Sequence, residues 1–306
     1  MTIKIFGHKG PDTDATCSAL IWEWYLSAVQ GKQAQAFVLE PPNTEAAFVL
    51  KYWGVDMPAT LGKLSGTDEV VLVDTNNPGE LPENINEANI AEVIDHHQLT
   101  GGLKTKAPIK FTIRPVAATA TVMNWLIGRD TDKMPDAIKG LMLSCVLSDT
   151  LEFRSPTTTP TDRALGEKLA RELGIDIAAY ASEMFAAKSD VSAFSDAELL
   201  KMDSKIFEVG DQKLRVSVLE TTAPAIVLDR SAALIAAMPD VAATDGADQV
   251  LLFVVDILNE EATLLIPNDQ VKSIAEKSFG ATVSGSTVLL PGIMSRKKQI
   301  VPNLKA

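Results

Sequence analysis

All three histidines of the sequence lie in two short acidic motifs, His8-Lys9-Gly10-Pro11-Asp12-Thr13-Asp14 and Asp95-His96-His97. An imidazole nitrogen joined by several carboxylates is a donor set for a first-row divalent ion such as Mn, Co, Fe or Zn. Asp74, closing the run VVLVD, and Asp149, closing LSCVLSD, extend the set. Asp12 and Asp14 stand two residues apart on a turn, so each can address a different ion. A carboxylate such as Asp74 can bridge two ions, and two ions roughly 3.5–4 Å apart activate one shared water and offset phosphoryl charge. Taken singly the pieces are ordinary. An Asp-x-Asp is usually a solvated turn or cap, a His pair is usually structural, and Asp149 alone reads as a helix-terminal residue. It is their joint placement that points to a metal site. An EF-hand loop counted from Asp12 would put Glu23 at its twelfth position, but Cys17 stands where glycine is required and the segment follows a strand.

The elements that must position these residues read as strands alternating with helices. Ile3–Phe6 is a short apolar strand followed by the His8–Thr13 turn. A helix is expected from about Ala15 to Val29, with Leu20, Trp24 and Ala28 on one face. Val70–Val73 is a second strand, stopped by Asp74 and the polar Thr75-Asn76-Asn77-Pro78-Gly79, and Ala91–Ile94 is a third, ending at Asp95. A helix beginning near Asp136 carries Leu141, Met142, Cys145 and Val146 towards Ser148 and Asp149. This alternation predicts an α/β fold with a mainly parallel sheet flanked by helices, and ligands sit at the carboxyl ends of such strands. The three loops are therefore expected to converge.

Residues 1–188 form this expected first domain. The polar stretch KSDVSAFSD, Lys188–Asp196, predicts a linker over 189–195, and 196–306 forms a smaller mixed α/β domain. Its expected elements are strands Leu214–Leu219, Val250–Val255, Thr263–Ile266 and Thr287–Leu290, with helices near Ser231–Met238 and Asp269–Phe279. Ser295-Arg296-Lys297-Lys298-Gln299 is the densest basic run. Arginine offers a planar fork to phosphate oxygens and lysine a mobile point charge. Taken alone, such a run serves equally as a solvated tail. Lys205, in KMDSKIF, is a weaker signal still.

Hydrophobic residues make up 46% of the 306 and charged residues 22%, an ordinary globular composition. A net charge of −12 opposes an extended nucleic-acid surface, yet leaves room for a small anion where cations gather locally. No apolar run reaches the roughly 18 residues of a membrane span. The start of the chain turns polar after Phe6 and carries no secretory signal, so a cytoplasmic protein is expected. Cys17 and Cys145 sit in apolar stretches and read as core residues.

With these residues in view, the sequence resembles the manganese-dependent family II inorganic pyrophosphatases of the DHH phosphoesterase superfamily. The matching elements are FGHKGPDTDATCSA, VLVDTN, EVIDHH, PVAATAT, LMLSCVLSDT and SRKKQ, spread over residues 6 to 299. The first four mark the superfamily, and SRKKQ narrows it to pyrophosphatases.

The resemblance implies a DHH domain followed by a DHHA2-like domain and hydrolysis of pyrophosphate by a hydroxide bridging two metals. It implies His8, Asp12 and Asp74 as ligands of one ion, and Asp14, Asp74, His96 and Asp149 as ligands of the other. His97 would contact substrate and handle protons, and Lys205, Arg296 and Lys297 would hold the phosphates. Two Mn2+ per subunit are implied, with Co2+ as a substitute and Mg2+ carried by the substrate. A cleft that closes between the domains and a homodimer formed through the first domain are also implied, without a regulatory CBS insert.

Two stretches depart from the family pattern. Thr75-Asn76-Asn77 stands where many relatives have His-Asn-Glu, and Ala117-Ala118 where Gly-Ser or Gly-Cys is usual. Neither touches an implied ligand. A DHH phosphoesterase acting on oligonucleotides, cyclic dinucleotides or polyphosphate is the rival enzyme, but the sequence has no GGGH-type motif and no aromatic platform beside its basic run. A non-catalytic sensor of metal or phosphate is the rival of another class, and no implied ligand or clamp position carries an inert residue.

Overall fold

The computed structural model describes residues 2–305. The chain divides into two compact units, Met1–Lys188 and Ser189–Ala306. In the first, β1 (Ile3–Phe6), β2 (Ala34–Val38), β3 (Ala59–Thr60), β4 (Glu69–Val73), β5 (Asn89–Asp95) and β6 (Lys110–Ile113) make one sheet in the order β3-β2-β1-β4-β5-β6. Every pairing in it is parallel. The chain builds outward from β1 to β3, then returns to lay β4 on the other side of β1. That reversal leaves a crevice at the carboxyl ends of β1 and β4, the position where open α/β sheets take their ligands.

Among the described residues six α-helices complete the unit: α1 (Thr13–Trp24), α2 (Thr44–Trp53), α3 (Thr119–Ile127), α4 (Asp136–Asp149), α5 (Pro160–Leu173) and α6 (Ile177–Lys188). Their starts are written locally. Asp12 caps α1 by accepting from the Ala15 N–H, Asn43 caps α2, and Thr159 with Asp162 forms a reciprocal capping box at α5, where Pro160 is the first helical residue. Phe6, Val70, Leu72, Ile90 and Val93 share one apolar cluster with Leu81 and Ile85 from the connection that follows β4. α1 packs on α3 and α4. Cys17 and Cys145 are buried and free.

The second unit holds α7 (Asp196–Lys201), β7 (Ser204–Val209), β8 (Gln212–Thr221), α8 (Pro224–Leu228), α9 (Ser231–Asp245), β9 (Gln249–Asp256), β10 (Glu261–Leu265), α10 (Asp269–Phe279) and β11 (Thr287–Pro291). Its sheet runs β11-β10-β9-β8-β7, parallel only between β8 and β9. Successive residues of β9 point to opposite faces. Leu251, Phe253 and Val255 join the core shared with α10, while Val250, Leu252 and Val254 join the core shared with α7 and α9. Burial on both faces explains why β9 reads as an unbroken apolar run. The segment 189–195 packs into this unit, with Val191 in the same core as α9 and Ser189 hydrogen-bonded to Thr222.

The expected α/β architecture, a parallel sheet with helices followed by a smaller mixed sheet, is what the chain forms. Two helices differ in extent. The helix expected over Ala15–Val29 is α1 followed by a single widened turn, Tyr25–Val29, in which the Gln30 N–H donates to the Tyr25 carbonyl at 3.1 Å. The helix expected to stop at Met238 runs through Pro239 to Asp245, because Val241 and Ala242 bury beyond the proline and Gly246 supplies the left-handed cap. Among the described residues no helix is long and apolar enough to cross a membrane.

Candidate metal centre

The first candidate loop leaves β1 through Gly7. A Cβ there would stand 2.7 Å from the Ala15 Cβ and 3.2 Å from the Val73 carbonyl oxygen, so only glycine lets β1, β4 and α1 approach this closely. The loop turns at Gly10, whose φ of 60° suits a residue without Cβ. His8 donates from Nδ1 to the Lys9 carbonyl at 2.8 Å, which leaves Nε2 facing Asp74 Oδ2 at 3.5 Å and Asp12 Oδ1 at 3.7 Å. His96 follows the same plan from the end of β5. Its Nδ1 donates to the Val116 carbonyl at 3.1 Å, and its Nε2 lies 3.4 Å from Asp74 Oδ1. A carbonyl accepts only, so both rings have their free nitrogen aimed at carboxylates, the tautomer a metal ligand needs.

Asp74 is the hub. It is 1% exposed and takes a left-handed φ of 59° immediately after β4, a conformation short polar side chains tolerate better than others. Its Oδ1 accepts from the Thr119 hydroxyl at 2.9 Å. Asp14, in the first turn of α1, accepts from the Thr119 N–H at 2.6 Å, the Ala120 N–H at 3.2 Å and the Ser18 hydroxyl at 3.0 Å. The start of α3 thus fixes both carboxylates. Asp149 ends α4, close enough for its carboxylate to join Asp14 and His96. Three sets of ligand atoms each lie within 4.8 Å of one another: His8, Asp12 and Asp74; Asp14, His96 and Asp149; and Asp74, His96 and His97.

The electrostatics are those of an acid cluster in need of cations. Burial, aided by the neighbouring Asp74 charge, pushes Asp14 up to about 7. Burial and the Asp14 charge push Asp149 well above the usual carboxylate range. Burial opposes ionisation of Asp74 too, yet hydrogen bonds from His8 and His96 hold it below that range. Burial lowers both imidazoles, but the carboxylates outweigh it, so His8 is raised to about 11 through Asp12 and Asp74, and His96 to about 9 through Asp74 and Asp14. In the metal-free chain the aspartate charge is therefore balanced by protons on the imidazoles and on buried carboxyls.

His97 stands apart. It is exposed, its Nδ1 lies 2.9 Å from Asp95 Oδ1, and that hydrogen bond raises its pKa. Asp95 is fully buried and also accepts the backbone N–H groups of His96 and His97, at 2.8 and 3.0 Å. An open cleft of about 410 Å³ is lined by Asp12, Asp74, His96, His97 and Asp149.

The structure thus gathers seven of the expected residues, His8, Asp12, Asp14, Asp74, His96, His97 and Asp149, at one end of the parallel sheet. Sequence reasoning left Asp95, Asn76, Thr119 and Asp162 without a role. Asn76, inside the departing Thr75-Asn76-Asn77, donates to Asp95 Oδ2 at 2.6 Å and pins the loop after His97 through the Gln98 carbonyl and the Thr100 N–H. Thr75 donates to Glu80. In the other departing stretch Ala117 lines the cleft, and its N–H is held by Asp162 at 3.0 Å.

In the second unit, Arg296 binds the Asp203 carbonyl through Nη1 and Asp203 Oδ1 through Nη2 at 2.8 Å. Asp203 immediately precedes β7, where Lys205 is the second residue and exposed. Lys297 is exposed on the turn Arg296–Ile300.

Residues 2–148 match the DHH family N-terminal domain, and residues 182–306 match the DHHA2 domain. A protein of Deinococcus radiodurans, "Probable manganese-dependent inorganic pyrophosphatase", is 41% identical over 99% of this chain and 98% of its own length. A protein of the same name from Lactiplantibacillus plantarum is 36% identical over 98% and 96%. Among solved structures, a Methanococcus jannaschii "putative family II inorganic pyrophosphatase" is 32% identical, with a TM-score of 0.62 over 98% of this chain and 97% of that one.

Proposed function

The chain belongs to the manganese-dependent inorganic pyrophosphatases, and from that premise we propose that it hydrolyses pyrophosphate to two phosphates at the cluster centred on Asp74. The observation that carries the proposal is the convergence of four aspartates with two imidazole nitrogens whose opposite ring atoms are tied to backbone carbonyls. Oxygen and imidazole donors at this charge density suit first-row divalent ions, and the raised Asp14 and Asp149 mark buried carboxyls that hold protons in the absence of a cation and would release them to one. His8, Asp12 and Asp74 would hold one ion, and Asp14, Asp74, His96 and Asp149 the other, with Asp74 shared. Such ions, when bound, supply an acidified water as nucleophile and offset the charge of the phosphoryl oxygens.

The rest of the chemistry falls to side chains. Asp95 holds the Nδ1 side of His97, so Nε2 is the atom free to hold a proton for a phosphate oxygen. From the second unit, Arg296 offers the N–H groups that its pairing with Asp203 leaves over, and Lys205 and Lys297 their point charges, to phosphates that arrive with Mg2+. The Arg296–Asp203 pairing supports this grouping, since it ties the basic turn to the start of the strand that bears Lys205.

Hydrolysis in oxygen-18 water tests direct attack. Label is expected in product phosphate with no acid-stable phosphoenzyme, and a trapped adduct overturns it. Under the same conditions a cyclic dinucleotide is expected to turn over far more slowly than pyrophosphate. The opposite preference overturns the substrate assignment.

A further inference from the structure

Glu45, the second residue of α2, is fully buried. Its Oε2 accepts from the Thr13 hydroxyl at 3.1 Å and the Ser148 hydroxyl at 2.9 Å, and the Lys188 ammonium lies 3.3 Å away. Thr13 stands between Asp12 and Asp14, and Ser148 directly precedes Asp149. One carboxylate oxygen therefore joins the first turn of α1 to the last turn of α4, the two helix ends that present three carboxylates to the metal centre.

Packing alone does not call for a charge here. α1 and α4 already bury Ile21, Leu141 and Cys145 in the same unit, and the Cys145 thiol reaches the Thr13 carbonyl at 3.8 Å. A buried carboxylate is expensive unless fully paired, and among the described residues Glu45 Oε1 has no hydrogen-bond partner. Lys188, the one cation paired with it among the described residues, has a side chain 40% exposed. The cost is offset in part by the position of Glu45 in the first turn of a helix, where negative charge is favoured.

We propose that Glu45 is a positioning residue for the two-ion centre. By holding Thr13 and Ser148 on one oxygen, it sets the distance between the Asp12/Asp14 pair and Asp149. This rests on the reading of that cluster as the metal site. Ser148 and Thr13 are the arms of the device, and Lys188 is the cation beside its carboxylate. Glutamine in place of Glu45 retains an acceptor oxygen for both hydroxyls, whereas alanine retains none.

The test is Mn(II) binding, followed by titration calorimetry and by electron paramagnetic resonance of the loaded protein. The wild type should take up two ions with the spectrum of a coupled pair. Glu45→Ala is expected to raise the Mn(II) dissociation constant about 10–100-fold, the range seen when partners behind metal ligands are removed, and to weaken the coupled signal at saturating Mn(II). Glu45→Gln is expected to recover most of both. Where Glu45→Ala does not fold, Ser148→Ala carries the test, with a smaller rise in the same constant expected. Unchanged affinity and spectrum in the alanine variants overturn the positioning role, as does Glu45→Gln impaired as deeply as Glu45→Ala. A wild-type chain that binds no Mn(II) overturns the metal site itself, and the positioning role with it. Wild-type loading alongside undisturbed loading of Glu45→Ala overturns the positioning role alone.

Discussion

Asn76 donates to Asp95 across 2.6 Å, and the other oxygen of that buried carboxylate holds the ring of His97. The chain of contacts runs from the loop after β4, through the end of β5, to the one exposed imidazole of the site. Asn76→Ala leaves Asp95 Oδ2 without that donor, at a stability cost of about 1–3 kcal/mol. Activity is expected to fall on the order of tenfold through kcat, while Mn(II) affinity stays near the wild type because Asp95 lies behind His97 and not among the proposed ligands. Steady-state kinetics beside a Mn(II) titration check both parts.

Asp74 combines an electrostatic role with a left-handed backbone, and the two can be separated. Asn accepts that conformation nearly as well as Asp, whereas Ala does not. Asp74→Asn is expected to remain folded when metal-free, with a melting temperature at or above that of Asp74→Ala. Both variants are expected to lose at least about 100-fold in Mn-dependent turnover, in keeping with loss of a shared ligand. Calorimetric melting of the two metal-free variants separates the backbone effect from the charge.

The metal-free protein should become less stable as pH rises. Asp14, ordinarily near 3.8, is held up to about 7, so between those values the folded chain binds more protons than the unfolded one. Stability falls across that window. His96 at about 9 and His8 at about 11 act with the same sign. Their contribution is fully present below 6.5 and is lost as pH climbs through the raised values. Mn(II) displaces these protons, so its apparent affinity should increase from pH 6 to pH 8. Melting of chelated and Mn-loaded protein should show a downward slope with pH for the first and a flatter line for the second.

Arg296→Lys keeps the charge but loses the fork that now grips both the carbonyl and the carboxylate of Asp203. Its KM for pyrophosphate is expected to rise by about tenfold or more, corresponding to one charge-assisted hydrogen bond of about 1.5–3 kcal/mol. Mn(II) affinity should be unchanged. A rise in the Mn(II) dissociation constant with unaltered KM would remove Arg296 from phosphate binding.

The candidate ligands are legible in the sequence because each follows an element with an unmistakable pattern. Phe6, Val73 and Ile94 close apolar runs, so His8, Asp74 and His96 had to fall at strand ends. Parallel pairing then brought those ends together. Asp149 was readable for a similar reason, as the polar terminus of the apolar face of α4. The supporting contacts were not readable. Thr119 lies 45 positions from Asp74 and Ser148 lies 103 from Glu45, and a lone Thr or Ser carries no signal of such a distant partner. β2 and β3 also went unread. The first, Ala34-Gln35-Ala36-Phe37-Val38, opens on alanines of low strand propensity and buries only Ala36 and Val38, and the second has two exposed residues.

The most direct test is phosphate release from Mg-pyrophosphate by protein stripped with chelator, assayed before and after stoichiometric Mn(II). Negligible release before addition and rapid release saturating near two Mn(II) per chain is the expected result. Full activity in the stripped protein, or none at any Mn(II) concentration from a chain that melts cooperatively, would contradict a two-ion pyrophosphatase built on Asp74.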